Sequence, residues 1–141
     1  MITKEMQMSR TNELRQLVRT MLKASNVIDE NVTEIYYKTA DDDAMFPHIV
    51  YMVKSINLGY LDRKDYAITI DIYTKKNEKL SNEIADEVED MFNNANMPSG
   101  NILPTFFLNG RQDVIDEDKN IQHVIENIQA QLYEKEGVNN G

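Results

Sequence analysis

The sequence predicts an α+β fold, with an antiparallel sheet of four to five strands flanked by two main helices. Three observations lead to this expectation. Two segments repeat apolar residues at helical spacing, four shorter runs are rich in β-branched and aromatic residues, and the connections between successive runs are short. Short connections favour antiparallel pairing of neighbouring strands, because a parallel pair needs a longer crossover.

The first helix is predicted at 11–24, where apolar residues recur every three or four positions. Ser9 or Thr11 is the expected N-cap, since either hydroxyl can accept a hydrogen bond from a free backbone N–H. The apolar stripe consists of Leu14, Leu17, Val18, Met21 and Leu22. Beside it, at four-residue spacing, lie the basic residues Arg15, Arg19 and Lys23, which are the candidate contact residues of the chain.

Four strands are predicted, at 32–37, 46–56, 66–74 and 103–112. The third is the clearest, because its isoleucines alternate with smaller or more polar residues. A second amphipathic helix is predicted at 80–95, between the third and fourth strands. Its outer face is acidic and consists of Glu83, Asp86, Glu87, Glu89 and Asp90.

The segment 121–133 fits two patterns. Helical spacing is matched by Ile121, Val124, Ile125, Ile128 and Leu132. Strand alternation is partly matched by Val124, Ile128, Ala130 and Leu132. From periodicity alone, this last segment is expected to be a helix.

The composition indicates one globular domain spanning residues 1–141, with flexible ends at 1–8 and 134–141. The longest uncharged apolar run, 46–53, is far shorter than a membrane span, so no membrane contact is expected. No secretory leader is recognisable at the N-terminus, and the absence of cysteine excludes disulfides and thiolate chemistry. Synthesis inside the cell is therefore expected.

The charge of the chain is both acidic and uneven. The formal net charge is −9, which argues against general nucleic-acid binding, because affinity for phosphate comes mainly from Lys and Arg. Residues 1–25 carry five basic and two acidic residues, a charge of +3, so the remainder carries −12. A basic head on an acidic body indicates contact between copies or with a charged partner, although both faces could simply be solvated.

The sequence contains no recognisable catalytic set, so the chain is not expected to be an enzyme or to hold a cofactor. Of its two histidines, His48 lies in an apolar run, which indicates a structural role. His123 would be aligned with Glu126 on a helix, but one histidine and one carboxylate do not make a zinc site. Phosphate-binding glycine loops and nucleophile elbows are also absent.

Two acidic clusters are candidate cation sites by composition, and no metal is expected at either. Asp116, Asp118 and Asn120 match the first ligand positions of an EF-hand loop. The match then fails, because Ile121 replaces the glycine and Asn127 replaces the bidentate glutamate. This segment is predicted to be a polar turn. The triplet 41–43 is predicted to be a solvated loop.

Three stretches together resemble a known family. They are Ile35-Tyr-Tyr followed by Phe46-Pro-His-Ile-Val-Tyr, the strand 66–74 leading into the acidic helix 80–92, and the polar run that begins at Arg111 and ends at His123. In order and spacing, over about residues 10–133, the chain resembles the tail terminator, or tail-completion and head–tail joining, proteins of long-tailed bacteriophages and prophages.

The resemblance implies an α+β fold whose segment after the 116–120 turn is a final strand rather than a helix. It implies a homo-oligomeric, hexameric ring in the virion, at the tail–neck junction, made in the cytoplasm of the bacterial host. The ring would contact the tail tube protein and a head-completion or connector protein, stop tail growth, and let double-stranded DNA pass through its lumen without specific binding. The resemblance brings no catalytic residues.

Other functions remain open from the sequence. A head-closure or connector protein of the phage neck would share the size, the acidity and the lack of catalysis. A metal-dependent enzyme would have to use 41–43 or 116–118. A small cytosolic binding or inhibitor protein would be a stable monomer.

Overall fold

The fold is seen in a computed structural model that describes residues 9–56, 63–93 and 95–134. The helices are α1 (Arg10–Ala24), α2 (Asn26–Asn31) and α3 (Glu78–Phe92). The strands are β1 (Glu34–Tyr37), β2 (His48–Ile56), β3 (Arg63–Lys75), β4 (Ile102–Ile115) and β5 (Ile121–Glu134). The α+β prediction with two main helices is confirmed, and the short helix α2 was not predicted.

The helix ends follow from local side chains. Ser9 caps α1 by accepting a hydrogen bond from the backbone N–H of Asn12 at 3.1 Å. Ser25 caps α2 in the same way, and Asn77 caps α3 by accepting from Leu80 at 3.0 Å. Of the two candidate caps for the first helix, Ser9 is therefore the one used.

The five strands form one mixed sheet in the order β1-β2-β3-β5-β4. Three of its four pairings are antiparallel, but β1 runs parallel to β2. The expectation of antiparallel pairing between the first two strands was wrong. The reason is length: β1 is only four residues long, a rise of roughly 13 Å, so the connection 38–47 is long enough to return the chain to the same end of the sheet.

The last segment is a strand, so the helix expected from its periodicity was wrong. β5 pairs with β3 on one side and β4 on the other. Its even-numbered residues face the core, among them Val124, Ile128, Ala130 and Leu132. Ile121 and Ile125 lie on the opposite face, partly buried between side chains of the flanking strands, and together with the inward residues they produced the false helical spacing.

The helices cover one face of the sheet. The core lies between them and the sheet, where α1 and α3 contribute Leu14, Leu22, Ile84 and Phe92, and β2 and β3 contribute Ile49, Tyr51, Ile68, Ile70 and Ile72, all nearly or fully buried. The other face of the sheet carries no helix among the described residues, and we call it the open face.

Some expectations fall outside the described residues. These are the flexible ends at 1–8 and 134–141, except that the backbone of Glu134 ends β5. No helix in the described part of the chain is long and apolar enough to cross a membrane.

Candidate assembly surfaces

A groove of about 730 Å³ lies between helix α1 and strand β1. We call it the α1–β1 groove. Its α1 wall is made only of basic and amide side chains: Asn12, Arg15, Gln16 and Arg19. Strands β1 and β2 and the following loop supply the rest, including Glu34, Tyr36, Tyr37 and Asp41.

Arg19 covers the free edge of strand β1. Its guanidinium donates a hydrogen bond to the backbone carbonyl of Ile35 at 2.8 Å and lies 3.8 Å from the carboxylate of Glu34. The same carboxylate accepts from the backbone N–H of Ile35 at 2.9 Å. An edge strand needs partners for its outward backbone groups, and side chains satisfy both groups of Ile35 here.

The three basic residues that the sequence places in one stripe of α1 do not all belong to one site. Arg15 places its guanidinium carbon 3.8 Å from the ring centroid of Tyr37, and within the described part of the chain it has no carboxylate at ion-pair distance. Lys23 is exposed in the last turn of α1 and does not line the groove. Arg15 and Arg19 therefore share one site, and Lys23 stands apart from it.

The acidic residues of α3 lie on its outer face, as predicted, but most of their carboxylates already have a partner within the chain. Asp86 and Glu89 both contact the Arg111 guanidinium, Glu89 at 2.7 Å. Glu87 accepts a hydrogen bond from the Ser25 hydroxyl. This face is therefore a weak candidate for contact with another copy.

Arg111 also neutralises a buried carboxylate. Glu126, on β5, is fully buried and accepts from Arg111 Nε at 3.0 Å through Oε2. Its Oε1 has no hydrogen-bond partner among the described residues. Burial, reinforced by the neighbouring Glu89, raises the pKa of Glu126 to about 8, while Arg111 opposes the rise. These four side chains, Asp86, Glu89, Arg111 and Glu126, join α3 to the β4–β5 hairpin, and we call them the Arg111 cluster.

A row of aromatic and histidine rings crosses the open face. His48 stacks on Tyr73 with ring centroids 4.9 Å apart, and Tyr73 stacks on His123 at 4.1 Å. His48 is buried with Nδ1 3.2 Å from the carbonyl of Met45, and burial lowers its pKa. A structural role for His48 agrees with this environment.

The alignment of His123 with Glu126 was wrong, because two side chains that are three residues apart on a strand point to opposite faces of the sheet. His123 lies on the open face, with Nε2 2.9 Å from the Asp71 carboxylate. Glu126 lies on the helix-covered face.

The turn between β4 and β5 is acidic and exposed. Asp116 accepts from the backbone N–H of Asp118, and Asp118 from that of Asn120, both at 2.9 Å. The prediction of a polar turn is confirmed, and these carboxylates stabilise the turn itself. Around it, Asp113 and Glu117 are exposed, and Ile115 is 97% exposed. We call residues 113–120 the hairpin tip; their formal charge is −3, from four acidic residues and Lys119.

Within residues 9–56, 63–93 and 95–134, no three His, Asp or Glu side chains are arranged to hold an ion. The triplet 41–43 is an exposed loop, as predicted, and Asp41 lines one end of the α1–β1 groove.

Sequence reasoning missed Glu126 and Arg111 as partners. The available signal was one ionisable residue at an inward position of an otherwise apolar alternation, Val124-x-Glu126-x-Ile128. That signal required the segment to be recognised as a strand first.

Fold and surfaces together define a two-layer α+β domain with charged sites at both sheet edges. Neither protein-family models nor curated proteins show a match to this chain. Among solved structures, it is similar to a chain of the virion of a native gene transfer agent particle, a phage-like particle, with a TM-score of 0.71 and 11% identity, over 90% of this chain and 99% of that chain. A second structure, without a descriptive name, has a TM-score of 0.66 and 12% identity over 92% and 99%. At these identities the likeness shows the fold.

Proposed function

We propose that this chain is a virion structural protein, and specifically a tail terminator. It forms a homo-oligomeric ring, a hexamer, that caps the tail tube at the tail–neck junction, stops its polymerisation and joins it to the head connector. The observation that carries the proposal is the similarity in fold, over nearly the whole of both chains, to a component of a gene transfer agent virion.

The role is one of assembly rather than catalysis. A ring needs heterologous contacts, in which one surface of a subunit meets a different surface of its neighbour. The chain offers two unlike edges for this purpose, a basic groove wall at β1 and an acidic hairpin tip at β4. The partners are further copies, the tail tube protein and a head-completion or connector protein. Double-stranded DNA passes through the lumen unbound, since an overall charge of −9 repels phosphate.

The candidate contact residues of the ring or of the tail tube are Arg15, Arg19 and Lys23. All three are on one helix, and reversing all three charges is expected to abolish ring formation or tail joining. Unchanged assembly of this variant would show that these residues of α1 do not contribute to the contact.

The decisive experiment is to produce particles without this protein and to examine them by electron microscopy. We expect tail tubes of uncontrolled length or tails without heads, and normal particles when the protein is supplied in trans. Normal tails in its absence would refute the proposal. If the protein were instead another neck component, such as a head-closure protein, tails would have normal length, and the protein would be captured by portal protein rather than by tail tube protein. A stable monomer that captures neither would indicate a cytosolic binding protein.

A further inference from the structure

Exposed acidic side chains without an ion pair among the described residues are grouped at the hairpin tip and in the loop 41–43. On α3, Asp86 and Glu89 are bound by Arg111. By contrast, Asp113 and Glu117 are exposed and have no cation at ion-pair distance within the described residues. Asp41 already lines the α1–β1 groove, which leaves the tip as the acidic group at the opposite edge of the sheet.

The basic counterpart is the α1 wall of the groove. Arg15 has a ring contact but no ion pair within the part of the chain that the structure describes. Arg19 has one loose ion pair, at 3.8 Å, and its side chain remains 38% exposed. A carboxylate that entered the groove would meet two guanidinium groups one helical turn apart.

The sheet places the two surfaces at opposite edges and at the same level. Cross-strand pairing runs from Glu34 on β1 to His48, Tyr73, His123 and finally Val114 on β4. Glu34 lines the groove, and Val114 lies within the hairpin tip. Head-to-tail contact around a closed ring requires two different surfaces on each copy, and the two ends of this row of paired residues supply them.

We propose that the hairpin tip of one copy docks in the α1–β1 groove of the next copy, with Asp113 and Glu117 facing Arg15 and Arg19. Ile115, exposed on the tip, supplies an apolar contact for the tyrosine rings of the groove. The inference rests on the proposed ring and names the surfaces that close it. Asp41, at one end of the groove, keeps the tip beside the α1 wall by repelling its carboxylates.

The test uses charge reversal in the full chain, followed by sedimentation velocity. The groove variant carries Arg15→Glu and Arg19→Glu, and the tip variant carries Asp113→Lys and Glu117→Lys. We expect each variant alone to have its dissociation constant for self-association raised at least about 100-fold, because like charges then face each other.

Mixing distinguishes a direct contact from indirect damage. In an equal mixture, the acidic tip of the groove variant meets an arginine groove, and the lysine tip of the tip variant meets a glutamate groove. The mixture is expected to assemble like the unchanged protein, with the two variants alternating. A single chain carrying all four substitutions is also expected to assemble, which shows that the substitutions permit folding.

The matched control reverses the same number of charges elsewhere, with Lys54→Glu and Lys64→Glu, both exposed and outside the two surfaces. It is expected to assemble normally. Assembly of the groove and tip variants on their own, or failure of the folded variants to rescue each other, would overturn the tip-in-groove contact and leave the ring intact. Absence of any assembly by the unchanged protein, alone or with tail tubes, would instead overturn the ring and the contact with it.

Discussion

At the scale of single residues, the most informative is Glu126. A carboxylate with no exposure and one unpartnered oxygen is costly unless it is compensated. Here the Arg111 guanidinium pairs with it, and burial raises its pKa, which favours the protonated form. Asp65 shows the other solution, with its buried carboxylate held by the Arg63 guanidinium at 2.8 Å and the Gln129 amide at 3.1 Å. Each buried acid therefore has its own local compensation.

Glu126 is expected to make stability fall as the pH rises. Its pKa is raised from the usual 4.5 to about 8 in the folded chain, so between these values the folded state binds more protons than the unfolded state. This contribution is fully present below about pH 4.5 and lost by about pH 8, with a slope of at most about 1.4 kcal/mol per pH unit.

Glu126→Gln removes this titration and is expected to flatten the dependence of unfolding free energy on pH between 5 and 8. Chemical denaturation of both proteins across that range measures the difference. The lowered pKa of His48 contributes a pH dependence of the opposite sign, since it makes stability rise with pH. His48 is the same in both proteins, so the comparison between variant and parent isolates Glu126. Parallel curves for the two proteins would contradict the raised pKa.

At the scale of elements, short polar side chains fix where helices begin and how they meet. Ser9 caps α1 and is exposed, and within the described residues its hydroxyl bonds only to the α1 backbone. Ser25 is buried, caps α2, and also donates to Glu87 of α3. One hydroxyl thus ties α2 to α3, which explains why so short a helix is ordered between α1 and β1.

Replacing the two capping serines is expected to lower the unfolding free energy by different amounts. Ser9→Ala removes one exposed capping bond and is expected to lower the unfolding free energy by about 1 kcal/mol. Ser25→Ala removes a buried cap and the bond to Glu87, and is expected to cost about 2 kcal/mol. Denaturant titration of both variants measures the difference. Equal losses would mean that the contact between Ser25 and Glu87 contributes nothing.

At the scale of the whole molecule, charge is neutralised in the interior and left free at the sheet edges. Asp86, Glu89 and Glu126 share the single Arg111 guanidinium, while the hairpin tip keeps exposed acidic charge and the α1 wall of the groove keeps exposed basic charge. The helices close one face of the sheet, so association between copies can use the sheet edges, the open face or the outer sides of the helices.

Association between copies is accordingly expected to weaken with salt. The screening length falls from about 10 Å at 0.1 M to about 3 Å at 1 M ionic strength, so exposed charges attract less strongly. Sedimentation of the unchanged protein at the two salt concentrations is expected to show a larger dissociation constant in high salt. An unchanged or smaller constant would mean that apolar contacts, rather than the charged edges, hold the copies together.

The sequence by itself determined the elements whose patterns are unambiguous. Helix α1 buries the stripe that its spacing predicted, α3 lies where the second helix was predicted, and β3 alternates as expected, since burial on one face imposes the period directly on the residues. The acidic face of α3 and the polar turn at 116–120 were also predictable, because exposure and turn chemistry are local.

Only the tertiary structure decided the rest, because it depended on what lies beside each element. The segment 121–134 is a strand because β3 and β4 pair with it on both sides. Strand β1 is parallel to β2 because β1 is so short that the following connection can return the chain to the same end of the sheet. The pairing of Glu126 with Arg111, and the separation of Lys23 from Arg15 and Arg19, follow from those neighbours. Local pattern specifies which face of an element is apolar, whereas long-range pairing specifies which charges are left without a partner.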